Sequence, residues 1–465
     1  VDNLSFRAEF HRALDPVAPP APWLVAAVRE ELQQRRRRMR PAARVARRLA
    51  QPSWLMPAVA ALVALAIILA IVIGGRLLLF SQTVPVKPPQ HGLAGPAGCP
   101  GWGKNAQGGQ GPASDRMTGR SVGWANGALR TTDGGAHWQK QAPDEMLAEA
   151  PPGTDPAAYP PGYVDYFLDS NHAWLAYGDP SAGSCFDHVT VFSTSDGGQS
   201  WKRSHPVDAA VQADSSLGLQ LFFIDPRHGW LMVLGSGRLA PDWFVYSTVN
   251  GGIDWQLLQQ MPLGSSWCSV EFISLDVGFL GGCQNSSGPS PALTVTRDGG
   301  RTWNPLILPA PAGGGQFTVL NPVFFNKDQG VIHVSTQVFQ GNTSTQSDFL
   351  DATDDGGQTW RALPALSFPG YAQSFGFIDP THFFVLVTDG KGSNSSVYRT
   401  ADGGRTWSSG GDLPALFQNY PTIMFVDAQH GFVDVPSQQI GAAPLVFYQT
   451  NDGGRTWIDV HPHLS

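Results

Sequence analysis

The chain has 465 residues, a formal net charge of −7, 42% hydrophobic residues and only 14% charged residues. Charged side chains fall well below the roughly 25% of an ordinary soluble domain, while 53 Gly and 38 Pro punctuate the sequence. That mixture speaks against long helices and for short strands joined by tight turns.

Charge is unevenly placed. Residues 1–53 carry eleven Arg against five acids, whereas the chain after residue 80 carries eighteen basic and thirty-two acidic residues. The large acidic part is unsuited to a nucleic-acid partner, because phosphate needs the opposite sign. The arginines crowd Arg35–Arg48, within a stretch (22–49) that could form a helix lying on anionic lipid. An apolar run of about twenty residues follows, from Trp54 to Gly75, the length that spans a bilayer core. Positive charge before the run predicts a single-pass anchor with a cytoplasmic N-terminus and an extracytoplasmic bulk. Residues 81–98 are rich in Pro and Gly and read as an extended stalk.

Beyond the stalk one turn recurs seven times: Thr-x-Asp-Gly-Gly-x-x-Trp. Its acid and aromatic positions are Asp133 and Trp138, Asp196 and Trp201, Asn250 and Trp255, Asp298 and Trp303, Asp355 and Trp360, Asp402 and Trp407, and Asp452 and Trp457. The acid positions are 63, 54, 48, 57, 47 and 50 residues apart. Glycine supplies the positive φ of such a corner without strain, and the Asp carboxylate can accept backbone N–H groups across it. The third copy has Asn250 for Asp and Asp254 where later copies have Thr, and is expected to be the weakest turn. A second motif precedes each box, as in Phe222-Phe-Ile-Asp225-Pro-Arg-His228-Gly-Trp230. Each repeat then reads strand A, corner, strand B, loop, strand C, box, strand D. Four strands per repeat of about fifty residues make one propeller blade.

The box resembles the Asp-box, or BNR, repeat of sialidases, sortilin-type receptors, some xyloglucanases and the photosystem II stability and assembly-factor propellers. The pairing of the two motifs is most similar to the assembly-factor type. The resemblance implies an all-β, seven-bladed β-propeller of four-stranded blades, preceded here by one transmembrane helix and a short cytoplasmic segment. The chain then divides into a cytoplasmic Arg-rich segment (1–53), a transmembrane anchor (54–80), a stalk linker (81–106) and a seven-bladed Asp-box propeller (107–465).

Four cysteines occur. An even number outside the cytoplasm predicts two disulfides: Cys268 with Cys283 across a hairpin, and Cys99 with Cys185. No Cys-x-x-Cys spacing supports a metal, and no cofactor is expected.

Enzymatic residues are scarce. After residue 80 the only glutamates are Glu145, Glu149 and Glu271. A sialidase needs an arginine triad, a tyrosine nucleophile with a glutamate, and an aspartate acid/base. Paired glycosidase carboxylates could come from Asp165, Asp187 or Asp242, yet nothing selects a pair. Glu271 alone falls on a strand near the channel, with an edge or solvent-facing place expected for it. His172, His228, His382 and His430 recur at one corner and read as turn residues. The A–B and C–D turns are short. The connections 142–163, 178–188, 205–218, 282–292, 307–321, 335–348 and 408–420 are longer and share one face, where loops bind partners. Tyr159, Tyr163, Phe186, Trp267, Phe339 and Tyr420 are its candidate contacts. The expected function is a membrane-anchored, non-catalytic scaffold or assembly factor with a protein partner on that face. The alternatives are a sialidase-like or other glycan-active hydrolase, or a glycan-binding module.

Overall fold

A computed structural model gives the protein's structure. It describes residues 115–125, 127–145, 163–179, 185–214, 218–235, 242–261, 269–281, 293–309, 316–340, 343–389, 394–414, 421–435 and 443–465. The Arg-rich segment, the anchor and the stalk lie outside the described residues. Among the described residues no helix is long and apolar enough to cross a membrane.

Seven antiparallel blades follow one another along the chain. Their inner strands A are Arg116–Met117, Val164–Phe167, Leu219–Phe223, Ser269–Phe272, the pair Gln316–Val319 and Val323–Phe324, Gly370–Phe377, and Thr422–Phe425. Blade 2 is typical: strand A is followed by Ala173–Asp179 (B), Cys185–Thr194 (C) and Lys202–Arg203 (D). Seven buried clusters fill the seven seams between blades. The cluster of Met117, Trp138, Phe432 and Phe447 joins blade 7 to blade 1, so the ring is closed. Parallel pairing of His463–Leu464 with His137–Trp138 adds a strand outside that seam.

The box is a hydrogen-bonded knot. In every copy the Thr hydroxyl donates to the side-chain Oδ1 at the acid position (2.7–3.0 Å) and accepts from the second Gly N–H (2.8–3.1 Å). The same Oδ1 accepts the N–H four residues on, for example Thr359 N at 2.9 Å. Both glycines hold positive φ in all seven copies, a region closed to most side chains. The first Gly N–H donates at 2.8–3.0 Å to a carbonyl in the A–B corner of its own blade, as Gly251 does to Arg227. The two repeated motifs are therefore one unit.

Between blades, an inner-strand Phe is clasped by aromatics. Phe223 stacks on Trp174 of blade 2 (3.7 Å) and meets Trp255 of its own box edge-on at 5.9 Å. Phe272 repeats this with Trp230 and Trp303, and Phe425 with Phe384 and Trp457. The Gly of the Gly-Trp motif makes the room: a Cβ on Gly229 would lie 2.5 Å from the Phe223 ring.

Several expectations are corrected. No disulfide is found among the described residues. Cys185 stands opposite Asp214 in a strand pairing, while Cys99, Cys268 and Cys283 lie outside the described residues. The 205–218 connection contains a strand, Val207–Asp214, that pairs with strand C of blade 2 and touches strand B of blade 3. The 335–348 connection is the end of a long hairpin, Gly330–Gln340 with Thr343–Thr353. The third box keeps its Thr bonds and its side-chain closure: Asn250 Nδ2 donates to Asp254 Oδ2 (2.8 Å), with donor and acceptor exchanged relative to the Asp–Thr pair.

Because Asn250 faces a carboxylate, Asn250→Asp would restore the repeat pattern yet place two anions in contact. Thermal denaturation is expected to show the variant less stable than the parent at pH 7, with the gap narrowing as the pH falls and a proton is taken up between the two carboxyl groups. Equal stability at pH 7 would contradict this account of the turn.

Candidate functional site

Inner strands converge on the propeller axis, and one register position is the same in every blade. The residue paired with the Trp or Phe of the Gly-Trp motif, or with its equivalent, is Arg116, Tyr166, Phe222, Glu271, Val323, Gly376 and Met424 in blades 1 to 7. These seven form one layer of the central channel. Three of them are chemically distinct: a cation, a phenol and a carboxyl group.

Their fields overlap, although they come from blades 1, 2 and 4. The Arg116 guanidinium donates to the Phe167 carbonyl at 2.8 Å and bonds the Tyr166 hydroxyl. Burial pushes the Tyr166 phenol up to about 12, with Arg116 opposing the shift and Glu271 adding to it. Burial likewise pushes Glu271 up to about 8, again opposed by Arg116. Side chains three blades apart interact in this way only around an axis. Phe222 fills the wall beside Tyr166, with ring centroids 5.3 Å apart.

A second acidic group lies at the same end of the inner strands as the long connections. Asp434 is fully buried on strand B of blade 7 (Gly431–Val435). It accepts from the Thr422 hydroxyl and shares a hydrogen bond with Asp115, just ahead of the blade 1 inner strand. Burial raises its pKa. Two carboxyl groups in contact must keep a proton between them.

The residues expected to matter are distributed differently. The six box acids, Asn250 and their Trp residues hold turns and seams; hydrogen bonds from Thr359 and its backbone keep the Asp355 pKa at about 2. Each corner histidine faces the carboxylate of its own corner, from His172 with Asp169 (2.9 Å) to His430 with Asp427 (2.7 Å). Among the described residues no group of three or more ligating side chains could hold a metal ion. Tyr163 donates to the buried Asp165 at 2.9 Å and packs in the blade 1–2 seam. Phe186 and Phe339 are placed by backbone alone, opposite Ala213 and Ser344. Tyr159, Trp267 and Tyr420 lie outside the described residues.

Glu271 is half-buried in the channel layer, not on an outer edge. Tyr166 and Arg116 were missed as site residues. The signal was present: each stands one place before the residue opposite the small residue of the Gly-Trp motif, Gly123 in blade 1 and Ala173 in blade 2. Reading that column down the repeats exposes the charged and phenolic members.

No family model matches the chain, and no curated protein matches it. Solved structures match by shape. A GH74 xyloglucanase from Xanthomonas campestris is 15% identical over 77% of this chain and 54% of that one, with a TM-score of 0.46. The chain thus spans about half the length of that enzyme. YCF48 bound to a D1 peptide is 18% identical, over 64% and 81% of the two chains, with a TM-score of 0.40. A PL25 ulvan lyase is 13% identical, over 75% and 92%, with a TM-score of 0.39. These likenesses concern the fold. They do correct one expectation: most of these matches are glycoside hydrolases or a lyase by name, so the architecture gives no ground for excluding catalysis.

The raised Glu271 pKa has a thermodynamic consequence. Between about 4.5 and 8 the folded protein holds a proton that the unfolded chain has released. Stability contributed by this group therefore falls as pH rises through that window. Glu271→Gln is expected to leave the melting temperature unchanged at pH 4 and to raise it relative to the parent at pH 9. Calorimetry at both values checks this, and a pH-independent difference would contradict it.

Proposed function

We propose that this propeller binds glycans at its central channel and acts on them there, with Arg116, Tyr166 and Glu271 as the contacting groups. One observation supports the reading: three blades bring these three side chains to one layer of the channel. A carboxylic acid that keeps its proton near neutrality can donate it to a glycosidic oxygen. Tyr166 stays a phenol and can donate to a sugar hydroxyl. Arg116 can pair with a hydroxyl or a carboxylate, and the Phe222 ring offers an apolar wall to a sugar face. Asp434 with Asp115 is a candidate for the second carboxyl group that glycoside chemistry uses. An arginine triad of the sialidase kind is absent from this layer among the described residues, so the reading is broader than a sialidase.

The full-length protein in mild detergent, screened on a glycan array and against glycoside substrates, tests it. Arg116→Gln and Tyr166→Phe are expected to weaken binding by about tenfold each, the scale of one lost charged or buried hydrogen bond. Glu271→Gln is expected to retain binding and lose turnover. Neither binding nor turnover on any glycan would overturn the reading.

A second reading, a protein partner on the long-connection face, is favoured by the projecting blade 5 hairpin and the strand bridging blades 2 and 3. Residues 54–80 are proposed as the anchor, with residues 1–53 cytoplasmic and the propeller outside, from the charge pattern alone. Protease added outside intact cells should digest the propeller and spare a tag at residue 1. Protection of the propeller would reverse that topology.

A further inference from the structure

Two neighbouring seams carry sibling pockets on the face of the box turns. The one between blades 5 and 6 has a volume of about 280 Å³ and is lined by Arg361, Arg405 and Asp354. The one between blades 6 and 7 has a volume of about 400 Å³ and is lined by Arg399, Arg455, His382 and Gln429. Thr353 and Thr400 are equivalent box residues, so Ala352 corresponds to Arg399 and Asp354 to Ala401.

That exchange rearranges the charges. In the first pocket Arg361 has its carboxylate, Asp354, at 3.4 Å. In the second, Ser408 stands for Arg361 and Ala401 for Asp354, and the second guanidinium comes from Arg399, beside Arg455. Arg399 Nη1 donates to the Gly453 carbonyl (3.1 Å) and Arg455 Nη1 to the Asp452 carbonyl (2.8 Å). Both anchors belong to one box turn, and they hold the two cations side by side. A guanidinium has five N–H donors, so most donors of the pair have no partner among the described residues. Neither arginine has an ion pair there. Asp452 lines the pocket too, but its oxygens are engaged by Thr450, Thr456 and two backbone N–H groups of its own turn. The pair also repels: burial, and then the charge of Arg455, lowers the Arg399 pKa, with Asp452 opposing. His382 presents its ring to the same pocket, with Nδ1 committed to Asp379 at 2.8 Å.

We propose that the blade 6–7 pocket is a binding site for a tetrahedral oxyanion, a phosphate or sulfate group, held between Arg399 and Arg455. Two forked guanidinia fixed by backbone anchors match the several oxygens of such a group, and an anion relieves their mutual repulsion. The site lies on the box-turn face and is independent of the channel reading.

The test uses the full-length protein and two probes, inorganic phosphate and inorganic sulfate, against sodium chloride at equal ionic strength. Thermal stability and isothermal titration are read together. Saturable stabilisation by the oxyanions, absent with chloride, is expected. Arg399→Gln and Arg455→Gln should each weaken binding by about tenfold, the loss of one charge-assisted contact, while Arg405→Gln in the sibling pocket should not. Phosphate binding that strengthens from pH 6 to pH 8 while sulfate binding stays flat would assign the dianion as the bound form. Should Arg399→Gln fail to fold, the exposed Arg455 still decides the matter. Equal responses to chloride and phosphate, or binding unchanged in Arg455→Gln, would overturn the proposal.

Discussion

Everything in this propeller hangs on one turn, in which a threonine hydroxyl donates to a carboxylate or amide oxygen and accepts from a glycine N–H. The turn satisfies its own polar groups, so it can close the outer hairpin of each blade without help from neighbours. The first glycine N–H then reaches the A–B corner of the same blade, which ties the outer hairpin to the inner one. With both hairpins fixed, the box Trp and the Gly-Trp aromatic are delivered to the two sides of a seam, where an inner-strand Phe lies between them. Local hydrogen bonding thus sets the geometry that aromatic burial stabilises.

The same regularity frees the axis for function. Seam residues are dictated by packing; the inner-strand layer is less constrained, and although Tyr166, Phe222, Val323 and Met424 also touch seam clusters, its seven members differ in every blade. Tyr166 and Glu271 are tolerated there because Arg116 offsets part of the cost of each. The guanidinium lies close enough to the phenol and the carboxyl group to act on both, while burial keeps both protonated. The outer pockets follow the same logic: a fixed box turn presents whatever the variable positions supply, an ion pair in one seam and two cations in the next.

The blades were legible in the sequence because box and corner recur with side chains whose turn chemistry is local. The strand Val207–Asp214 was not, since it pairs beyond the regular blade edge and enters the apolar seam at its first residue, Val207, which leaves no alternating pattern to read. The blade 5 hairpin, with its Thr, Ser and Gln, was read as a loop for the same reason. In box three Asn250 and Asp254 exchange donor and acceptor roles and keep a side-chain bond across the turn, which residue types taken singly do not announce. Glu271 was found by its rarity. Arg116 was hidden by an inner strand of only two residues, too short to show any periodicity.

The most direct test of the channel account is the titration of the Glu271 carboxyl group itself. Carbon-13 labelling of glutamate, with Glu271→Gln to assign the resonance, would follow it from pH 4 to pH 10. The account predicts a midpoint near 8 that rises further in Arg116→Gln, where the opposing charge is gone. A midpoint near 4.5, unmoved by that substitution, would place Glu271 in water and contradict the account.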